Sequence, residues 1–148
     1  MNLKKQLYDL IVENWGLTGD LTKTKVDFSR HSKVPQEIVK PQVVIGNFTD
    51  VIVPLGTSAD NFLEGKAKGT VNLQVKASDK TLTKKTEAED LLDLMEEEIK
   101  RIVAKSTLPE DWDSAYVESG EILDVEGDPP LLQEIVKVFV YYIKVYGS

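Results

Sequence analysis

The chain has 148 residues, 25 acidic against 18 basic, for a formal net charge of −7, and it contains no cysteine. That charge argues against non-specific binding to DNA or RNA, which needs a basic face to displace counterions, and the missing thiols exclude disulfides and thiolate metal sites. Hydrophobic residues make up 41% and charged residues 29%, the balance of one globular domain with a sizeable core rather than of a disordered chain.

In chain order, residues 3–15 predict a short helix. Leu3, Leu7, Leu10, Ile11 and Trp15 recur at helical spacing and Gly16 is placed to end it. Gly19-Asp20 reads as a turn. Lys25 to Ser29 predicts a strand, and Ile38 to Ile45 another, interrupted by Pro41, which marks an edge or a bulge. Gly46-Asn47 reads as a turn, and Thr49 to Pro54 as a further extended stretch. Residues 55–69 have loop composition, with Gly56, Gly65 and Gly69 and several small polar residues, and with Phe62 and Leu63 as isolated apolar residues inside them. A loop of this length inside a domain is usually functional or mobile, so two readings stand: the apolar pair is a candidate interface that orders on meeting a partner, or it folds back on the protomer's own core.

Thr70 to Ala77 is the clearest strand. Val71, Leu73, Val75 and Ala77 alternate with Thr70, Asn72, Gln74 and Lys76, which places one face on the core. The other face, with Asn72 and Gln74, is expected in water or against a partner, and these two join the candidate interface.

The chain is organised around a helix predicted at Thr86 to Lys105. Thr86 stands three residues before Glu89, the spacing of a capping box. Glu87, Glu89 and Asp90 fill the first turn and Lys100, Arg101 and Lys105 lie toward the last, matching the helix dipole. Ala88, Leu91, Leu92, Met95, Ile99, Ile102 and Val103 fall on one face. Leu94 sits on a flank, and Glu96, Glu97, Glu98 and Arg101 are expected on the solvated outer side.

Ala115 to Val125 predicts a strand with Gly120 as a bulge. Asp128-Pro129-Pro130 breaks the chain, and Leu132 to Tyr146 predicts a long final strand. That strand is apolar on both faces and needs cover on both. The helix covers one, and another element or another subunit must cover the other. Its longest apolar run, Val138 to Ile143, is too short to span a bilayer. The polar N-terminal segment lacks the apolar stretch of a signal peptide, so the expectation is an intracellular protein.

The motifs that carry chemistry fail one by one. The only histidine, His31, stands in a polar loop. Gly65-Lys66 lacks the earlier glycine and the following Ser or Thr of a phosphate loop, where Asp60 and Ala67 stand. Asp124, Glu126 and Asp128 have calcium-loop spacing, but Pro129 and Ile135 occupy the positions for glycine and the closing glutamate. Glu96, Glu97 and Glu98 cannot all point one way from a helix. Lys80, Lys84 and Lys85 precede the helix N-terminus, where an anion can bind. Asn47-Phe48-Thr49 is a glycosylation sequon without a secretory context.

The order of elements is the remaining clue. A short helix is followed by a strand with Pro41-Gln42-Val43-Val44-Ile45, a long loop and the strand Gly69 to Ala77. The amphipathic helix of Ala88, Leu92, Met95 and Ile99 and two final strands complete it. This layout resembles the tail terminator and tail-completion (minor tail) proteins of long-tailed phages and related viruses, over most of the chain. The resemblance implies a small α+β fold, a mainly antiparallel sheet packed against one long amphipathic helix with a short N-terminal helix. It implies assembly into a ring, usually a hexamer, that caps the tail tube and joins it to the head connector in the virion neck, after assembly in the host cytoplasm. It implies no catalytic residue. From the motifs, hydropathy and charge, no cofactor or metal, no membrane contact and no direct nucleic-acid binding are expected. Two other readings stay open: an intracellular α+β binding or adaptor module unrelated to virions, and a hydrolase using carboxylates.

Overall fold

The computed structural model describes residues 2–55, 62–76, 85–125 and 131–145. In chain order they form α1 (Leu3–Asn14), β1 (Asp27–Ser29), β2 (Gln42–Ile45), β3 (Thr49–Leu55), β4 (Phe62–Lys76), α2 (Lys85–Lys105), β5 (Trp112–Glu118), β6 (Ile122–Val125) and β7 (Leu131–Val145). Single 3-10 turns stand at Gly19–Leu21 and Pro35–Glu37.

Two fifteen-residue strands, β4 and β7, pair antiparallel along their whole length, from Phe62 opposite Val145 to Lys76 opposite Leu131. At about 3.3 Å per residue this spine is roughly 50 Å long. Each outer edge is shared by two short strands. On β4, β2 pairs with the segment 71–74 and β3 with 64–68. On β7, β5 pairs with 137–142 and β6 with 131–134. β1 joins β2 in parallel, so the sheet is mixed although mostly antiparallel. The α+β class is as expected.

Both helices pack on one face of the sheet. Ala88, Leu92, Met95, Ile99 and Ile102 of α2 are 0% exposed and meet Val71, Leu73 and Val75 of β4 and Leu132, Val136, Val138 and Val140 of β7 in one core. Complete burial contributes roughly 1.5–3 kcal/mol for each large side chain, so this layer dominates the stability. Leu94 is half exposed on the flank. α1 is capped by Asn2, whose side chain accepts the N–H of Lys5, and buries Leu7, Leu10 and Ile11. Trp15 ends it, donating from Nε1 to the carbonyl of Leu21 at 2.7 Å and meeting the ring of Phe28 edge-on. The Thr86 capping box lies outside the described side chains.

Four expectations change. Residues 62–69 continue β4 and are not loop. The glycines that suggest a turn there make room for rings: a Cβ on Gly65 would stand 2.5 Å from Cζ of Tyr142, and one on Gly69 2.5 Å from Cζ of Phe48. Residues 56–61 of the expected loop lie outside the described residues. Pro41 precedes β2 rather than interrupting it, and its carbonyl accepts the N–H of Asp27. The strand expected over Ala115 to Val125 is two, β5 and β6. Glu118 opposes Lys137 and Ile122 opposes Glu134, so the chain around Gly120 holds one residue more than its partner, as a bulge does. Glu98, expected in solvent, is buried.

Candidate functional site

The sheet face turned away from the helices carries the even-numbered residues of β4 and the odd-numbered residues of β7, because side chains alternate along a strand. Near β2 this face is closed. Gln42, Val44 and Gln74 are buried there, and Ile38 is buried outside the helix-side core. Ile38 is the buried residue of the connection before β2, and Lys76 donates to the carbonyl of Pro35 in the same connection at 3.3 Å. Gln42, Gln74 and Gln133 are register partners on three adjacent strands. Asn72 and Gln74 both donate to Oε1 of Gln133 at 3.4 Å, and Gln42 donates to Asp27 and to the carbonyl of Lys40, each at 2.9 Å. Hydrogen bonding from Gln42, and then from Lys33, holds the Asp27 carboxylate below its usual pKa.

This places the expected interface residues. Gln74 is 7% exposed and Asn72 is half-buried, so neither stands on a solvated face. The alternation predicts their side of the sheet but not their burial there. Phe62 and Leu63 lie in β4 opposite Val145 and Lys144, and their side chains are outside the described ones.

The uncovered part of the face lies across β5, β6 and β7. Ile135, Leu123 and Tyr116 are 40%, 48% and 43% exposed. Tyr116 stacks on Phe139 with ring centroids 4.9 Å apart, and Tyr141 stands 6.3 Å from Tyr116. The ammonium of Lys66 lies over all three rings, 4.8 Å from the Phe139 centroid, 5.1 Å from Tyr141 and 5.4 Å from Tyr116. Cations are attracted to ring faces at such distances, and hydrogen bonding with Tyr116 and Tyr141 raises the Lys66 ammonium above the usual lysine pKa. This aromatic group is invisible in one strand of sequence, because its members come from β4, β5 and β7.

One group among the described residues has the composition of a metal site: Asp93 and Glu96 on α2 with Glu134 on β7. Burial first, then the charge of Glu96, pushes Glu134 up to about 7. The signal for it in the sequence is a lone acid at an inward position of an apolar strand, opposite two acids spaced three apart on the facing helix.

Two of the failed motifs lend single residues to these places, Lys66 of Gly65-Lys66 to the aromatic group and Glu96 of the glutamate run to the acidic one, and the others lie elsewhere. His31 is exposed, and its carbonyl accepts the hydroxyl of Ser29. Asp124 is in β6, whereas Glu126 and Asp128 lie outside the described residues, as do Lys80 and Lys84. Oδ1 of Asn47 accepts from Lys4 at 3.0 Å. Among the described residues no helix is long and apolar enough to cross a membrane. No protein-family model matches the chain, and no curated protein matches it.

Proposed function

We propose that the chain is a ring-forming structural subunit of the tail terminator type. In this reading it caps the tail tube of a long-tailed phage or related virus, meets the head connector, and acts by subunit association without catalysis. The observation that carries the reading is the exposure of Ile135, Leu123 and Tyr116 on the sheet face opposite both helices. A strand that is apolar on both faces needs cover on both, and α1 and α2 supply it on one side only. A neighbouring copy supplies the other. Closed symmetry then covers every such face in the ring, which usually holds six copies, and leaves no free patch to aggregate.

The same patch supports a second reading, an intracellular adaptor that docks an unlike protein on β5, β6 and β7. Imaging separates the two. Assembled tails should show density for this protein at the tube end facing the head, and its loss should leave tubes of uncontrolled length or without heads. Tails that are complete and lack such density overturn the first reading.

A further inference from the structure

Glu134 projects from the helix-facing side of β7, between Leu132 and Val136, and is 2% exposed. Its register partners are Leu73 in β4 and Ile122 in β6. A carboxylate in such apolar company is strongly disfavoured unless something of opposite charge or a donor meets it. The backbone N–H of Gly120 is one such donor. Yet Oε2 of Glu134 has no hydrogen-bond partner among the described residues, and neither has the buried Oε1 of Glu96. Lys100 approaches Oε1 of Glu96 only to 3.7 Å, with its own side chain 37% exposed, and can offset one of three negative charges at most.

We infer that Asp93, Glu96 and Glu134 form a binding site for a hard divalent cation, calcium foremost, that clamps α2 to β7. One oxygen of each carboxylate lies within 4.8 Å of the others. Calcium takes oxygen ligands at about 2.3–2.6 Å, so ligands on opposite sides of one ion stand roughly 4.6–5.2 Å apart. An ion at their centre stands within about 2.8 Å of all three, and side-chain shifts of a few tenths of an ångström bring them to calcium distance. The donor set is entirely carboxylate oxygen, which suits calcium, magnesium or manganese and not softer metals. Asp93 is exposed, so the ion has a route in from solvent, and water completes its coordination on that side. A proton shared between Glu134 and Glu96 also satisfies the two orphan oxygens. It gives no role to Asp93, whose carboxylate is aimed at the same point and supplies the third ligand.

The test uses the full chain, freed of metal with a chelator, melted at constant ionic strength with and without millimolar calcium chloride. A saturable rise in Tm is expected, with one site by calorimetric titration. Glu134→Gln keeps the shape and removes the ligand charge, and should abolish the shift. Asp93→Asn, at an exposed position where folding is not at stake, should weaken calcium binding by roughly tenfold or more, since affinity follows the count of charged ligands. A calcium shift that survives unchanged in both variants overturns the proposal and marks general screening. So does a wild-type protein insensitive to calcium whose Glu134→Gln variant melts higher in chelator, which marks a shared-proton pair. If Glu134→Gln does not fold, titration of Asp93→Asn decides alone, and wild-type affinity in that variant overturns the site.

Discussion

The buried carboxylate of Glu98 holds the guanidinium of Arg101 by two hydrogen bonds, 2.6 Å from Nε and 2.9 Å from Nη2. The pair closes the end of α1. Oε2 of Glu98 accepts the N–H of Gly16 at 2.5 Å, and Nη2 of Arg101 donates to the carbonyl of Asn14 at 2.7 Å. The last turn of a helix leaves carbonyls without partners, and here α2 supplies the donor. Charge-assisted bonds of this kind are worth about 1.5–3 kcal/mol. Glu98→Ala should therefore lower stability by about 2 kcal/mol in chemical denaturation, with α1 losing amide-exchange protection first.

The pH dependence of that loss follows from the direction of the Glu98 shift. The Arg101 hydrogen bond is the largest influence, and it holds the carboxyl below its ordinary 4.5. A depressed folded pKa gives stability that is full above the unfolded value and fades as pH falls through the lower folded value. The difference in Tm between wild type and Glu98→Ala should be constant near neutrality and shrink only below about pH 4.5. A gap that closes between pH 8 and 6 instead would contradict the assignment of this carboxylate as the charged cap.

The helix face has its own test. Ile99 is 0% exposed, and Glu97 is exposed two residues earlier. Ile99→Asp buries an unpaired carboxylate under the sheet and should cost several kcal/mol, enough to unfold much of a marginally stable domain. Glu97→Ala should change stability by less than about 0.5 kcal/mol. Equal melting temperatures would show that α2 docks by another face.

Periodicity makes some of this legible and hides the rest for identifiable reasons. The stripe from Ala88 to Val103 places α2 within one residue of its observed start, because a three-four spacing has few other solutions. The alternation of Val71, Leu73 and Val75 does the same for the core half of β4. The other half is missed because Gly65 and Gly69 look like turn residues, and their actual reason, the rings of Tyr142 and Phe48, stands far off in sequence. Glu98 is missed because a helical wheel counts stripe and outside, whereas its partner Gly16 is 82 residues away. The uncovered sheet face is half legible. The two-faced apolar character of β7 predicts that a second cover is needed, but the burial of Gln42 and Gln74 and the gathering of Lys66, Tyr116, Phe139 and Tyr141 are tertiary facts.

Gly69 carries a prediction of its own. It opposes Val138, and the ring of Phe48 occupies the space its side chain would take. The clash is with a packed ring rather than a flexible tip, so Gly69→Ala should destabilise by about 1–3 kcal/mol, the range for overpacking. The double variant with Phe48→Ala relieves the clash, and its stability should exceed the sum of the two single effects. Strict additivity of the two changes would show that the ring moves aside without strain.

Two adjacent residues of β7 separate folding from association. Val136 faces the helices and is 0% exposed, while Ile135 faces away and is 40% exposed. The same change, to aspartate, therefore asks two questions at neighbouring positions. Val136→Asp introduces an unpaired charge into the core between α2 and the sheet and should abolish cooperative melting. Ile135→Asp leaves its carboxylate open to water, so the isolated protein should keep its stability within about 1 kcal/mol, as surface changes do. In the association reading, the same carboxylate is carried into a protein contact when copies assemble, where an unpaired charge is strongly unfavourable. Ile135→Asp should then fail to incorporate into tails, or into rings formed on isolated tail tubes, while Glu97→Ala on the opposite side of the protomer incorporates normally. An Ile135→Asp variant that is stable and assembles as well as wild type would remove this sheet face from the interface, whatever the protein's role.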